Sequence, residues 1–313
     1  MASNLDYVEY VCEQLAGAGT ITYKKMFGEY GLYCDGKFFA TVEDDQLYVK
    51  MTKAGEALMP DPVIAEPHEG ARAYLIEDLD DREFLTELTL KTCGELPDKP
   101  KKLDYKKEYK DLYMPKTKPA VIQVPEMIFI MVDGKGDPNT SAEYKNAIEI
   151  LYGLSYSIKM SKMGGNAPEG YFEYVVPPLE GLWWLDKGYF DGKAIGNKDE
   201  FQWTSMIRQP EFVTEDVFEE AKAALAKKKP QLDLSAARYT IWEEGLCAQV
   251  MHKGSYDDEP ATIEKLEQFI EDSGYASDIS HERWHHEIYL SDPRKAAAKN
   301  LKTVIRHPIR RNV

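Results

Sequence analysis

The chain has 313 residues, of which 43% are hydrophobic and 30% charged, and its formal net charge is −15. This length exceeds what one hydrophobic core usually holds, so we expect two or three domains. No apolar run approaches the length of a membrane-spanning helix, and the N-terminus lacks the basic and apolar segments of a signal peptide. The four cysteines are scattered without a C-x-x-C spacing, which is typical of a reducing compartment. We therefore expect a cytoplasmic protein with no membrane partner.

The negative charge is concentrated at the start of the chain. Residues 1–100 carry 9 Lys and Arg against 20 Asp and Glu, a balance of 9 − 20 = −11. A surface this acidic repels phosphate, which argues against direct DNA binding by this part. The last stretch, 294–313, is basic and is interpreted as a solvated terminus.

The first hundred residues predict a small α+β domain. A capped, periodic segment at 3–19 indicates a helix, and alternating residues over 21–51 indicate three short strands with turns at "CDGK" and "EDDQ". A further strand at 71–77 and a closing helix at 80–96 complete a domain over 1–96. Residues 97–119 are rich in Lys and Pro and are predicted to be a linker and lead-in to a second domain over 120–313.

The second domain contains an internal repeat. "MIFIMVDGKGDPN", "SAEYKNAIEILYGLS" and "YSIKM" read as strand with Gly loop, helix and strand. "GLCAQVMHKGSYDDEP", "ATIEKLEQFIEDSGY" and "HHEIYL" repeat this order about a hundred residues later. The predicted fold class is α+β, with two pseudo-repeated strand-helix-strand modules around a ligand cleft.

Motifs of common catalytic sites are absent, and the histidine cluster does not predict a metal site. Nucleophile-elbow, P-loop, dinucleotide-binding and zinc-protease patterns are missing. His281 and His285 would share a face on a helix, but the alternation of "HHEIYL" indicates a strand that sends His285 and His286 to opposite sides. We expect no metal and no cofactor.

Glu287 is the candidate functional carboxylate. If Ile288 faces the helix layer, Glu287 and Tyr289 share the other face of the strand. Burial of a carboxylate is costly unless a cation or a hydrogen-bond donor meets it. The alternative is an exposed Glu287 that pairs with Arg283 or Arg294, and the sequence leaves both open.

Aromatic residues and one methionine are candidates for the walls of a pocket around Glu287. Such side chains make adaptable apolar walls for flat ligands, although each is individually more typical of a core. Neighbouring residues on a strand face opposite sides, so one of the two adjacent tryptophans would face the ligand and the other the core. The candidates are Tyr156, Trp183, Trp184, Trp203, Met206 and Tyr289.

Two family resemblances follow from longer motifs. "YKKMFGEYGLYCDGKFFATVEDDQLYVK" resembles the TfoX N-terminal domain family over about residues 1–96. The stretches "PLEGLWW", "QWTSMIRQP", "EGLCAQVMHKGSYDDEPATI" and "HHEIYLSDPRK" resemble the GyrI-like small-molecule-binding family over 104–313. The first resemblance implies an α+β fold without known catalytic residues.

The GyrI-like resemblance implies two modules and a ligand site. In effector domains of multidrug-responsive regulators, a glutamate among aromatic rings meets cationic ligands, and Glu287 matches that place. Some stand-alone members hydrolyse cyclopropane-bearing DNA-alkylating natural products, with a glutamate and aromatic residues implicated. Unlike the regulators, this chain has no helix-turn-helix before the ligand domain.

Three hypotheses about function follow. The first is a protein that binds planar, apolar or cationic small molecules through cation–π contacts and Glu287. The second is a hydrolase of strained, cyclopropane-bearing compounds, in which a desolvated Glu287 with a raised pKa acts as general base. The third is a regulatory adaptor whose acidic N-terminal domain docks a protein partner.

Overall fold

A computed structural model describes residues 3–98, 102–165, 167–185, 190–192, 198–292 and 294–312. The chain divides into two compact units, Met1–Pro100 and Lys101–Val313, each with helices and an antiparallel sheet. The predicted α+β class is therefore confirmed. The boundary between the units lies within 99–101, outside the described residues.

The first unit is an open six-stranded sheet with two long helices. Its strand order is β1-β2-β3-β4-β6-β5, with four strands where the sequence predicted three in 21–51. The elements are α1 (Leu5–Gln14), β1 (Ile21–Met26), β2 (Glu29–Cys34), β3 (Lys37–Glu43), β4 (Gln46–Lys50), α2 (Lys53–Glu56), β5 (Ile64–Ala65), β6 (Ala73–Ile76) and α3 (Arg82–Glu95).

Tight turns and one buried sheet face hold this unit together. The predicted hairpin turns occur at Asp35–Gly36 and Asp44–Asp45, where positive φ angles match turns that suit the twist of two paired strands. Residues of α1 and α3 pack with Phe39, Val42 and Leu47 in one core. The sheet therefore buries one face beneath these two helices.

The second unit contains the longer strands and helices. They are α4 (Tyr105–Glu108), α5 (Lys110–Tyr113), β7 (Ala120–Lys135), α6 (Ala142–Met160), β8 (Leu179–Leu185), β9 (Phe201–Arg208), α7 (Glu215–Lys228), β10 (Ala237–Lys253), α8 (Glu259–Asp272), β11 (Tyr275–Ser277), β12 (His285–Tyr289) and β13 (Lys302–Arg311).

The sheet of the second unit closes on itself. Its order is β10-β7-β9-β8-β12-β13-β11, and the long strand β10 pairs with β7 along one part and with β13 along another. Helices α6 and α7 pack on the outer face of β7, β8 and β9, and α8 packs on β10 and β13. The inner face holds a separate core that includes Phe129, Met206 and Val304.

Part of the stretch predicted as a linker contributes to this inner core. Helices α4 and α5 bury Tyr105 and Tyr113 there, and Arg306 donates a hydrogen bond of 2.8 Å to the carbonyl of Leu112. Residues 102–113 are therefore an integral part of the second unit.

The strand-helix-strand order does occur twice, as β7–α6–β8 and β10–α8–β12. Equivalent strands pair with each other, β7 with β10 and β8 with β12, as expected of two modules related by a pseudo-two-fold axis. The strand predicted at "YSIKM" is wrong, because these residues are the last turns of α6. The helical period continues through Leu151, Leu154 and Ile158, which are all buried.

A buried ionic cluster lies on the inner face. His286 lies between Glu180 and Glu244 at 3.0 Å from each, and Arg306 donates to Glu244 at 2.9 Å. Burial alone would lower the pKa of His286, but the two carboxylates outweigh it and raise that pKa. Burial likewise opposes ionisation of Glu244, but His286 and Arg306 lower its pKa to about 2. His286, Arg306 and the two carboxyls are therefore paired with one another within the core.

A glycine allows the largest ring of the outer core to pack against β7. Gly134 is directly opposite Trp203, and a Cβ at Gly134 would overlap Cη2 and Cζ2 of the Trp203 ring. We expect Gly134→Ala to lower the free energy of unfolding by about 2 kcal/mol, the usual cost of overpacking. All five tryptophans lie in the second unit, so tryptophan fluorescence during urea unfolding measures this change.

The variant Trp203→Phe provides the control, since phenylalanine lacks the atoms that would clash. In the double variant, the added methyl group should cost much less than it does alone. Strict additivity of the two substitutions would contradict this explanation.

Candidate functional site

Glu287 lies at the seam between the two modules. On β12 it is directly opposite Gly181 of β8, and a Cβ at Gly181 would meet Trp183 Nε1 at 2.8 Å and Tyr289 Oη at 3.2 Å. The absence of a side chain at Gly181 thus lets Trp183 and Tyr289 pack closely beside the carboxylate. The Glu287 side chain is 13% exposed, so the site is buried but reachable.

Hydrogen bonds orient both oxygens of Glu287. His285 Nε2 donates to Oε1 at 2.9 Å, and Tyr289 Oη donates to Oε2 at 2.6 Å. Trp183 Nε1 in turn donates to Tyr289 Oη at 3.0 Å, and His285 Nδ1 lies 2.7 Å from His307 Nε2. An ionised carboxylate can only accept, so His285 donates through Nε2, while its Nδ1 shares a hydrogen bond with His307. Each oxygen is thus held by a donor that is itself positioned by a second residue.

These donors keep Glu287 ionised. Burial alone would raise the pKa of Glu287, but hydrogen bonds from His285, Tyr289 and Glu259 outweigh it and hold the pKa below its usual value. The raised pKa expected from the sequence is therefore wrong. That expectation took account of the burial of Glu287 but not of the hydrogen-bond donors around its carboxylate.

Glu259, at the start of α8, is a second carboxyl that sequence reasoning missed. It is 5% exposed, and its carboxyl and that of Glu287 shift each other's pKa. Burial, and next the charge of Glu287, raise the pKa of Glu259 far above its usual value. The pair therefore holds one proton and one negative charge at neutral pH. No sequence signal could have revealed this pairing, since it depends on how α8 docks on the sheet.

Tyrosines form the accessible part of the site. Tyr256 is 38% exposed and packs edge-on against Tyr289, with ring centroids 5.9 Å apart. Tyr144 of α6 is half-buried and packs against Trp183 and Trp203. Burial raises the pKa of Tyr256 to about 12 and that of Tyr144 further, so both stay protonated donors. A ligand at Glu287 would thus meet tyrosine rings first.

Alternation along the strands separates the predicted wall residues. Trp183 and Trp203 lie on the outer face with Glu287, whereas Met206 lies in the inner core and Trp184 packs on Trp284 at 5.4 Å. Trp203 is fully buried and supports the site from beneath. The helix layer covers the face of β12 that carries Glu287. The sequence analysis considered Ile288 to face this layer, which is wrong, because Ile288 lies in the inner core.

Tyr156 is not part of the Glu287 cluster. It lies on α6, is 50% exposed and stacks on Tyr152 at 6.4 Å. These rings line a surface groove of about 520 Å³ together with Lys145 and Arg294, and no hydrogen-bond partner of Glu287 lines it. The misplacement follows from reading the end of α6 as a strand.

The alternative ion pairs of Glu287 are not formed. Arg283 bonds to Asp278 at 2.6 Å and to the carbonyl of Glu244, and Arg294 pairs with Asp292 at 2.9 Å. His285 and His286 face opposite sides, as predicted.

Within the described ranges, no group of three His, Cys, Asp or Glu side chains is arranged to hold a metal ion. No helix described by the structure is long and apolar enough to cross a membrane.

Two repeated modules with a polar, aromatic-lined seam between them are typical of a domain that binds small molecules. Residues 117–310 match the profile of the GyrI-like small molecule binding domain, and the chain belongs to this family. Residues 13–67 match the TfoX N-terminal domain, so the fusion expected from the sequence is confirmed.

Solved structures from Listeria innocua are similar to about two thirds of the chain. One described as a hydrolase is 48% identical, with a TM-score of 0.61, and covers 67% of this chain and 100% of its own. A second, described as an uncharacterized conserved protein, is 50% identical over the same shares, with a TM-score of 0.63. An uncharacterized 12.7 kDa protein of Spirochaeta aurantia is 31% identical over 105 residues, which are 33% of this chain and 91% of that protein.

We expect Glu259→Gln to stabilise the second unit by an amount that grows with pH. The folded wild type keeps the Glu259 proton, whereas the unfolded chain loses it above a pKa of about 4.3. Wild-type stability therefore falls as pH rises from there toward the raised folded-state pKa, at up to about 1.4 kcal/mol per pH unit. Glutamine has no proton to lose, so the difference between the two proteins should widen.

Urea unfolding followed by tryptophan fluorescence, at pH values of about 4, 6 and 8, measures this difference. Glu264→Gln, an exposed position on the same helix, is the matched control and should show a constant difference. A pH-independent difference for Glu259→Gln would mean that Glu259 is ionised in the folded protein.

Proposed function

We propose that the second unit is a hydrolase of small, planar, electrophilic molecules, with Glu287 as the general base. The observation that carries this proposal is an ionised carboxylate, partly open to solvent and fixed by His285 and Tyr289, at an aromatic-lined seam. A base must be ionised and oriented to take a proton from water, and both conditions are met by these contacts.

The low basicity of Glu287 limits the substrates for which it can act as a general base. Donors that hold its pKa below the usual value also make it a weaker base, so the water that it activates is a modest nucleophile. Such a water reacts efficiently only with an electrophile that is already activated. A strained ring meets this requirement, which agrees with the cyclopropane-bearing compounds that the family resemblance implies.

The walls of the site favour flat ligands, including cations. Tyr144, Tyr256 and Tyr289 offer aromatic rings, and the carboxyl pair adds one negative charge. Ring faces and a nearby anion both attract positive charge. Similarity to Listeria innocua structures described as hydrolases, at 48% and 49% identity, favours turnover over binding alone.

We expect Glu287→Gln to lower the rate of water addition at least about 100-fold, the usual contribution of a general base. The test incubates the full chain with a cyclopropane-bearing alkylating compound and follows the product by mass spectrometry. Isotopically labelled water, in a single-turnover experiment, should place the label in the product, since the proposed nucleophile is water and not the carboxylate.

Glu264→Gln is again the matched control and should retain the wild-type rate, because its carboxyl is exposed on the outer side of α8. Tryptophan fluorescence in the same samples reports binding. Quenching without product in the wild type would make the protein a binder instead of a hydrolase. Equal rates in Glu287→Gln and wild type would remove Glu287 from the chemistry.

A further inference from the structure

We propose that a groove lined by four lysines in the second unit is a binding site for a small organic diphosphate. The groove has a volume of about 440 Å³ and lies apart from the candidate hydrolase site, since neither Glu287 nor His285 nor Tyr289 lines it. This lysine groove is lined by Met114, Lys116, Lys118, Met251, Lys253 and Lys302, among others.

Two strands carry one lysine each to the groove. Met251 of β10 and Val304 of β13 lie in the inner core, and side chains two positions apart on a strand point to the same face. Lys253, the last residue of β10, and Lys302, the first of β13, therefore extend from the end of that face. They are directly opposite each other in the pairing of the two strands. Because like charges in opposite positions destabilise a sheet, this pair lowers the stability of the free protein.

A fixed segment brings the other two lysines to the same place. Residues 114–118 connect α5 to β7, and the Lys116 carbonyl accepts a hydrogen bond of 3.0 Å from the Met251 amide of β10. Just before this segment, the Leu112 carbonyl accepts a hydrogen bond of 2.8 Å from Arg306 of β13. The connection is thus attached to both strands that carry the opposed lysines. The backbone therefore gathers the four charges before a ligand arrives, which lowers the cost of binding.

The four lysines have no carboxylate partner among the described residues. None of the eight residues that line the groove is acidic, and no described Asp or Glu forms an ion pair with any of the four lysines. Other lysines of this unit do pair, as Lys229 does with Glu149 at 2.6 Å. A chain with 54 Asp and Glu residues has many carboxylates available. A cluster of exposed lysines that uses none of them is suited to an anion from solution.

The lining side chains define the chemistry of that anion. A lysine ammonium is a point charge that suits phosphate oxygens, and no arginine, whose planar fork matches carboxylates, lines the groove. Four such charges favour two joined phosphate groups over one. Met251 is 5% exposed and Met114 is 41% exposed, so they offer an adaptable apolar surface to the organic part of the ligand.

The size of the groove favours a small molecule over a nucleic acid. Its volume lies in the range of small-molecule sites. A longer polyanion would extend beyond the four lysines over a chain whose net charge is −15, which repels phosphate.

The test is isothermal titration calorimetry of the full chain at one fixed ionic strength, with orthophosphate, inorganic pyrophosphate, adenosine diphosphate and geranyl diphosphate as probes. Pyrophosphate should bind at one site and more tightly than orthophosphate. At least one organic diphosphate should bind more tightly than pyrophosphate, because its body contacts the two methionines. The two organic probes distinguish a heterocyclic from a hydrocarbon body.

The double variant Lys253→Gln/Lys302→Gln should bind every diphosphate about 10-fold or more weakly, the usual effect of losing hydrogen bonds to a charged group. The matched control is Lys227→Gln/Lys228→Gln, which removes the same charge from exposed positions on α7 and should change these affinities less than about twofold. Without ligand, Lys302→Gln alone should raise the urea midpoint of the second unit, measured by tryptophan fluorescence, because it relieves the opposed charges.

Several results would overturn this inference, and none depends on the hydrolase activity. They are a wild type that does not bind pyrophosphate, unchanged affinity in the double variant, and a lower urea midpoint in Lys302→Gln, which would give the lysines a structural role. Equal affinity for pyrophosphate and both organic diphosphates would overturn the role of the methionines. Tighter binding of a single-stranded oligonucleotide than of any diphosphate, lost in the double variant, would assign the groove to nucleic acid instead.

Discussion

Strand β12 has both faces buried, and this constraint determines most of what lies around it. Three consecutive residues, His285, His286 and Glu287, alternate between an outer face beneath the helices and an inner face within the closed sheet. Because neither face is open water, each polar group must find a partner inside the protein. The inner ionic cluster and the outer carboxyl site both arise from this requirement.

Buried carboxylates are compensated in different ways on the two faces of β12. On the inner face, Glu244 is compensated by His286 and Arg306, so its charge is neutralised by full ion pairs. On the outer face, Glu287 accepts from His285 and Tyr289, and burial raises the pKa of Glu259 so that it keeps its proton. The first arrangement is inert because every charge is matched. The second leaves one carboxylate, Glu287, whose side chain is 13% exposed.

The sequence predicted the parts of the site that depend on local periodicity. Alternation in "HHEIYL" correctly placed Glu287 with Tyr289 and separated the two histidines, and alternation in "LWW" required the two tryptophans to diverge. It could not reveal Glu259 or Tyr144, since these residues reach the site through the docking of helices from distant parts of the chain. Tyr156 was misplaced because a short apolar run fits both a strand and the end of a helix.

Closure of the larger sheet has a consequence for how this protein could aggregate. By pairing with both β7 and β13, strand β10 leaves few backbone groups free to recruit a strand from another molecule. The sheet of the first unit is open, and its edge strand β1 carries Lys24 and Lys25 on an exposed surface. Lysines on a free edge oppose pairing between identical chains, because like charges would be brought together. Closure of the sheet therefore opposes misassembly in the second unit, and the charge of the edge-strand lysines opposes it in the first unit.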